Sequence, residues 1–321
     1  VLPQILVFFA GLAGLVYGAD VFVKGAASLA LRLGVSRLVI GMTVVGFGTS
    51  LPELSVNLSA AFSGRLDLAV GNVVGSNIAN IGLILGIAAL VAPLTIHVSL
   101  LKLEIPLLLL VSAGLWLLGS NGQLGRPDGA LLLLGFVGLL LLIGYGGRQE
   151  PRQIEADIVD GGVPSSVDAT RATWRDLAWI GVGFVLLLVA SRLMVGAAVD
   201  LARLWGMSEL VIGLTIVAIG TSLPELAAST LAALRGETDI AIGNVLGSNL
   251  FNILLILGVT AVITPLPLDP TLIRVQIPVM ILFAALLYPL SLRGRSIGRP
   301  AGALLLSAFF GFLAWQLTSI D

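Results

Sequence analysis

Residues 41–54, GMTVVGFGTSLPEL, and residues 69–86, AVGNVVGSNIANIGLILG, decide how this chain is read, because both return further along. The second copies are GLTIVAIGTSLPEL at 213–226 and AIGNVLGSNLFNILLILG at 241–258. Glu53 matches Glu225 and Asn80 matches Asn252, a constant offset of 172 with no gap. Over 36–86 and 208–258 about 30 of about 50 positions are identical, far above the weak internal symmetry usual in transporter repeats. The chain is a duplicated unit, and the polar residues of the duplicate lie inside apolar segments.

Working outward, the whole chain is apolar. Of its 321 residues 57% are hydrophobic and 11% charged, where soluble domains carry about 25% charged residues. Mean hydropathy is +1.07. The reading is an all-α polytopic membrane protein. Apolar stretches near the ~20 residues needed to span a bilayer predict ten transmembrane helices, at about 3–31, 36–62, 66–91, 99–118, 128–147, 174–204, 208–234, 239–264, 271–292 and 299–319. The polar, charge-rich stretch 148–173 reads as a flexible cytoplasmic linker joining the five-helix repeats 1–147 and 174–321. The N-terminal stretch lacks a basic leader and reads as a spanning helix rather than a signal peptide.

Five helices per repeat is odd, so the two copies are expected to cross the membrane in opposite senses, as inverted repeats. With both termini outside, inner connections hold 11 of the counted Lys and Arg side chains and outer connections 4. That bias puts the linker inside and both termini outside; the expected location is the cell's inner (plasma) membrane, as a multi-pass protein. Trp116, Trp174 and Trp315, near predicted helix ends, suit an interfacial belt.

The chemistry follows from the broken helices. In lipid every backbone polar group needs a partner, so irregular backbone survives only where it lines a cavity or is covered by protein. Pro52 has no N–H and frees the carbonyl of Gly48; Pro224 does the same for Gly220. Beside them stand Thr49, Ser50 and Glu53, and Thr221, Ser222 and Glu225, all presenting oxygen. In the second motif Ser76 and Asn80 are four apart on one helix face, with Gly75 and Asn77 alongside; Ser248 and Asn252 match them. Hard cations such as Na⁺ and Ca²⁺ take oxygen ligands, so the pattern reads as a cation site. The bland alternative for each Ser and Asn is helix-packing glue, and Gly71, Gly75, Gly243 and Gly247 are expected to let helices approach closely. Packing does not account for the glutamates. A carboxylate at bilayer depth costs at least ~2.5 kcal/mol even on the generous insertion scale, and this chain spends it twice at matched positions.

Other charges have quieter readings. Asp20, Lys24, Arg192 and Asp200 fall in the first helix of each repeat and read as structural or snorkelling groups. Asp67 and Asp239 read as caps or first-turn acids, and His97 as a surface residue of a connection. There is no cysteine, no phosphate-binding loop and no basic cluster, which argues against thiol chemistry, ATP hydrolysis and nucleic-acid partners. No cofactor, enzymatic activity or obligate protein partner is expected.

With GTSLPE and GNxxGSN present in both halves, the chain resembles the cation/Ca²⁺ antiporter superfamily, and most of all its prokaryotic Na⁺/Ca²⁺ exchanger branch, over essentially its whole length. The resemblance implies Na⁺ and Ca²⁺ as transported ions, Glu53 and Glu225 as central carboxylates, and Thr49, Ser50, Ser76, Thr221, Ser222 and Ser248 as flanking oxygens. It further implies carbonyl ligands at Gly46 and Ala218, with Asn80 and Asn252 closing the centre. Some exchangers of the family carry Asp where this chain has Asn252, so the charge here is only −2. The runner-up is H⁺/Ca²⁺ exchange, since buried carboxylates also take up protons; a cation channel or a non-transporting scaffold is the reading of another class.

Overall fold

The computed structural model describes residues 1–96, 100–146, 169–206, 218–292 and 296–318. The chain forms helices α1 (Leu2–Leu33), α2 (Arg37–Thr49), α3 (Leu51–Phe62), α4 (Leu68–Val91), α5 (Leu100–Asn121), α6 (Arg126–Tyr145) and α7 (Thr173–Leu204). A single turn at Ala218–Thr221 leads into α8 (Leu223–Leu234), followed by α9 (Thr238–Ile263), α10 (Leu272–Ser291) and α11 (Arg299–Thr318). Among the described residues seven helices are long and apolar enough to cross a membrane, or eight if the bent pair α2–α3 is one span. The expectations for His97, for most of the linker and for residues 208–217 lie outside the described residues. Helical backbone already starts at Ala169, a turn before the Thr173 bound of α7 and inside the stretch 148–173 read as linker.

The chain packs as two compact units, and neither is a sequence half. One unit comprises Val1–Thr49 and Leu140–Asn244, the other Ser50–Leu139 and Val245–Asp321.

In the first unit α1 and α7 form the main contact, and glycine makes it possible. A Cβ on Gly11 would meet Ala190 and Met194, one on Gly18 would meet Leu186 and Leu187, and one on Gly25 would meet Asp176 and Ile180. The partner number falls as the α1 number rises, so these helices, matching segments of the duplicate, run antiparallel. Gly183 is tightest, with the Phe22 backbone 2.6 Å from where its Cβ would be. Arg32 pairs with Asp176 across the same two helices, and Arg37 with Glu237 at 3.1 Å. Asp20 accepts from Lys24 at 2.9 Å and also pairs with Arg235, while Arg192 is exposed.

In the second unit two short antiparallel ladders mark the ends of matching elements. β1 (Leu94–Thr95) pairs with β4 (Ser296–Ile297), and β2 (Gln123–Leu124) with β3 (Leu266–Pro267). Gly86 meets Gly302 and Leu306 of α11, and its match Gly258 meets Gly129 and Leu133 of α6. Asp269, in the turn before α10, accepts from the Thr271 N–H at 2.7 Å, which lowers its pKa from the usual carboxylate value.

Close helix approach holds for Gly243, whose Cβ would meet Leu38 O at 2.6 Å and Met42 N at 2.9 Å. It does not hold for Gly71 and Gly75, whose Cβ atoms would meet nothing within 4 Å among the described residues. Gly75 is exposed, whereas Gly243 and Gly247 are buried. The sequences match; the surroundings do not. Asp239 sits in the first turn of α9, and the Asp67 side chain lies outside the described residues.

Candidate cation site

Both GTSLPE segments break their helix at the serine. Ser50 has φ −83°, ψ 0° and Ser222 φ −91°, ψ 11°, and α3 leaves α2 at 41°. Pro52 and Pro224 each fall in the first turn of the new helix, where a missing N–H costs nothing. The sequence pointed to negative half-helix ends near the glutamates. The structure adds that Glu53 lies in the first turn of α3 and Glu225 in the first turn of α8. There the positive end of each helix dipole faces a side chain that can carry negative charge. Each glutamate is 1% exposed.

In the first unit Asn244 on α9 ties the surroundings of Glu225 together. Its Nδ2 donates to Ser229 Oγ at 2.8 Å and, at 3.4 Å, to the Glu225 carbonyl. Its Oδ1 accepts from Thr49 Oγ1 at 3.0 Å. Thr49 also reaches the Gly46 carbonyl, at 3.4 Å. Thr49, Gly46 and Ser222 are buried, Thr221 is half-buried, and Ala218 opens the turn before the break. The Gly220 carbonyl freed by Pro224 accepts from Ser191 Oγ of α7 at 3.1 Å.

In the second unit Asn57 donates to the Glu53 carbonyl at 3.0 Å, one turn along α3. The Ser50 hydroxyl is buried with no hydrogen-bond partner among the described residues. Ser76 and Ser248 are buried. Four asparagines are joined by hydrogen bonds. Asn80 Nδ2 donates to Asn249 Oδ1 at 2.9 Å, and Asn252 Nδ2 donates to Asn77 Oδ1 at 2.9 Å. Asn77 Nδ2 donates to the Asn249 carbonyl at 3.2 Å. Asn80 and Asn252 each open a π-helical stretch, at Asn80–Leu85 and Asn252–Leu257. Such stretches are rare and common at functional sites. The Oδ1 atoms of Asn80 and Asn252 are buried and accept no hydrogen bond among the described residues.

Thus Glu53, Ser50, Ser76, Asn80, Ser248 and Asn252 fall in one unit, and Glu225, Thr49, Gly46, Thr221, Ser222 and Ala218 in the other. In each unit the candidate donors are hard oxygens, one carboxylate among neutral hydroxyl, amide or carbonyl groups. Buried oxygens with no hydrogen to receive suit a bare cation, which needs acceptors only. No group of three or more His, Cys, Asp or Glu side chains that could hold a metal ion occurs among the described residues. Asn244, Asn249, Ser229, Asn57 and Ser191 were not singled out in the sequence. For Asn244 and Asn249 a signal existed, since both match asparagines of the first copy, Asn72 and Asn77. For Ser191 none did, because its match is Ala19.

Known proteins are similar to this chain over most of its length. The family model described as sodium/calcium exchanger protein matches residues 3–145 and again 176–318. The putative antiporter CaxA of Alkalimonas amylolytica is 44% identical over 94% of this chain and 95% of its own length. The sodium/calcium exchanger MaX1 of Methanosarcina acetivorans is 32% identical over 96% of this chain and 97% of its own. Among solved structures, the sodium-calcium exchanger NCX_Mj soaked with 2.5 mM Na⁺ and 1 mM Sr²⁺ superposes with a TM-score of 0.84 at 33% identity, covering 98% of each chain. Duplicated motifs, broken helices, buried carboxylates and full-length similarity agree: the chain belongs to the sodium/calcium exchanger family of the cation/Ca²⁺ antiporter superfamily.

Proposed function

We propose that this protein is a secondary antiporter in which Na⁺ entry drives Ca²⁺ extrusion by alternating access. One observation carries the reading: two buried glutamates, each in the first turn of a helix restarted at a serine–leucine–proline break, at matched positions of a duplicated sequence. Glu53 and Glu225 supply the charge. Thr49, Ser50, Ser76, Thr221, Ser222, Ser248, Asn80 and Asn252 supply neutral oxygens, with the carbonyls of Gly46 and Ala218. The charge of −2 balances one Ca²⁺ or two Na⁺. A third Na⁺ makes the loaded carrier positive and the cycle electrogenic. Bare carboxylates do not cross an apolar barrier uncompensated, so the empty carrier moves poorly and exchange is obligatory.

The architecture that goes with this reading is ten helices in two inverted repeats, 1–147 and 174–321, joined by the cytoplasmic linker 148–173, with both termini outside the plasma membrane. The antiparallel pairing of α1 and α7 supports inversion, since these are matching segments. The relatives named as exchangers support Na⁺ as the counter-ion. So do the hydroxyls around the glutamates, because protons need no such cage.

The test is ⁴⁵Ca²⁺ uptake into proteoliposomes under imposed gradients. An outward Na⁺ gradient is expected to drive uptake, and a pH gradient alone is not. Uptake driven only by the pH gradient assigns H⁺/Ca²⁺ exchange instead; uptake that needs no counter-ion assigns a channel.

A further inference from the structure

We infer that Asn77 and Asn249 are positioning residues whose task is to fix which edge of the Asn252 and Asn80 carboxamides faces the cation; the inference rests on the cation site proposed above.

A carboxylate presents oxygen whichever way it turns. A carboxamide does not: half a turn about its last side-chain bond exchanges an acceptor for a donor, and a donor facing a cation repels it. A site that uses Asn where a carboxylate could serve must therefore hold the amide in one orientation. The structure contains such a device in both copies. Asn77 Oδ1 can only accept, so it selects the Nδ2 edge of Asn252, at 2.9 Å. Asn249 Oδ1 selects the Nδ2 edge of Asn80 at the same distance. With the amide nitrogens committed, the oxygens of Asn80 and Asn252 are the edges left over, and both are buried without a hydrogen-bond donor among the described residues. All four side chains are about 1% exposed, so water does not complete them from bulk.

The two arms are not equally firm. Asn77 is itself oriented, because its Nδ2 donates to the Asn249 carbonyl at 3.2 Å. Asn249 Nδ2 is buried with no acceptor among the described residues. The Asn252 amide is thus held by an oriented partner, and the Asn80 amide by one that can turn.

The experiment uses the full chain in proteoliposomes and in detergent, reading the half-saturating Ca²⁺ concentration of Na⁺-driven exchange and the Ca²⁺-dependent rise in unfolding temperature. Asn77→Ala is expected to raise half-saturation about fivefold, roughly the worth of one orienting hydrogen bond, with maximal flux little changed. Combined with Asn252→Asp, whose two oxygens are equivalent, Asn77→Ala is expected to shift half-saturation less than twofold relative to Asn252→Asp alone. Asn249→Ala with Asn80→Asp repeats the cycle on the other arm, with a smaller single-variant effect.

Equal losses with and without the Asp substitution mean that Asn77 only supports the fold, and the inference is overturned. The same holds if both alanine variants fail to fold and neither Asp substitution rescues them. A different outcome separates the underlying reading: if Asn252→Ala and Asn80→Ala leave Ca²⁺ and Na⁺ affinity unchanged, the assignment of these residues to the cation site fails.

Discussion

Ser191 Oγ donates to the carbonyl of Gly220 at 3.1 Å, and the matching residue of the first copy, Ala19, has no hydroxyl with which to do the same for Gly48. Pro224 frees the Gly220 carbonyl, and a hydroxyl on the neighbouring helix takes it up. A carbonyl has a second lone pair, so this bond steadies the broken backbone without removing its capacity to accept. Ser191→Ala is expected to destabilise the protein by about 1 kcal/mol, the net worth of one buried hydrogen bond. The measurement is thermal unfolding in detergent. No change in unfolding temperature would show that the Gly220 carbonyl finds water or another donor.

Glu53→Gln and Glu225→Gln each remove half of the charge proposed to hold Ca²⁺. Each is expected to abolish or severely impair Na⁺-driven Ca²⁺ flux while inserting and folding normally, because a buried amide costs less than a buried carboxylate. Flux near that of the unsubstituted protein in either variant would falsify the assignment. Size-exclusion profiles of the purified variants separate lost binding from lost folding.

The α1–α7 seam is packed backbone to backbone. Gly183→Ala places a methyl 2.6 Å from the Phe22 nitrogen and 2.7 Å from its Cα, so the helices must part. Overpacking of this kind costs about 1–3 kcal/mol, and the variant is expected to melt correspondingly earlier. Gly196, on the same helix, has nothing within 4 Å of its Cβ among the described residues. Gly196→Ala is the control, expected to be neutral or mildly stabilising because alanine favours helix. Equal effects would place the seam elsewhere.

If α1 and α7 are the elements that slide during access, tying α1 to α8 stops the cycle. Both helices border one groove, through Ala13 and Leu231, and the chain has no native cysteine to interfere. Ala13→Cys with Leu231→Cys, joined by a short bifunctional thiol reagent, is expected to arrest exchange and to recover when a cleavable linker is cut. Full flux in the cross-linked protein means α1 does not move against α8.

The candidate residues of the proposed site were legible because duplication acts as its own control. Glu53 and Glu225, Ser50 and Ser222, and Asn80 and Asn252 stood out as polar residues kept twice inside apolar stretches, and the structure places the glutamates, these serines and these asparagines in buried surroundings. Helix boundaries were legible from hydropathy and proline. What sequence could not show is what depends on packing. The π-helical openings at Asn80 and Asn252 carry no sequence signal that hydropathy or proline reveals. The same holds for Gly75, exposed, against Gly247, buried in the same motif. Interleaving of both copies in each compact unit was also hidden, since it arises from contacts hundreds of residues apart.

Asn252 sets the charge of the proposed site, and with it the choice of ions. With amides at both Asn80 and Asn252 there is no third acid to attract a co-transported K⁺, so Ca²⁺ uptake driven by an outward Na⁺ gradient is expected to proceed equally in K⁺-free and K⁺-containing vesicles. Asn252→Asp adds a third carboxylate to the proposed site. Like charges in a low-dielectric interior resist simultaneous ionisation, so this variant is expected to retain a proton that an entering cation must displace. Its Ca²⁺ flux should fall more steeply with acidity than that of the unsubstituted protein, with proton competition relieved only at alkaline pH. The measurement is flux from about pH 6 to 9, with and without K⁺, for both proteins; this range brackets a carboxyl group shifted upward by its neighbours. Parallel pH profiles would place Asn252 too far from the glutamates to share their charge. A K⁺ requirement in the unsubstituted protein would mean that an acid not counted here takes part in binding.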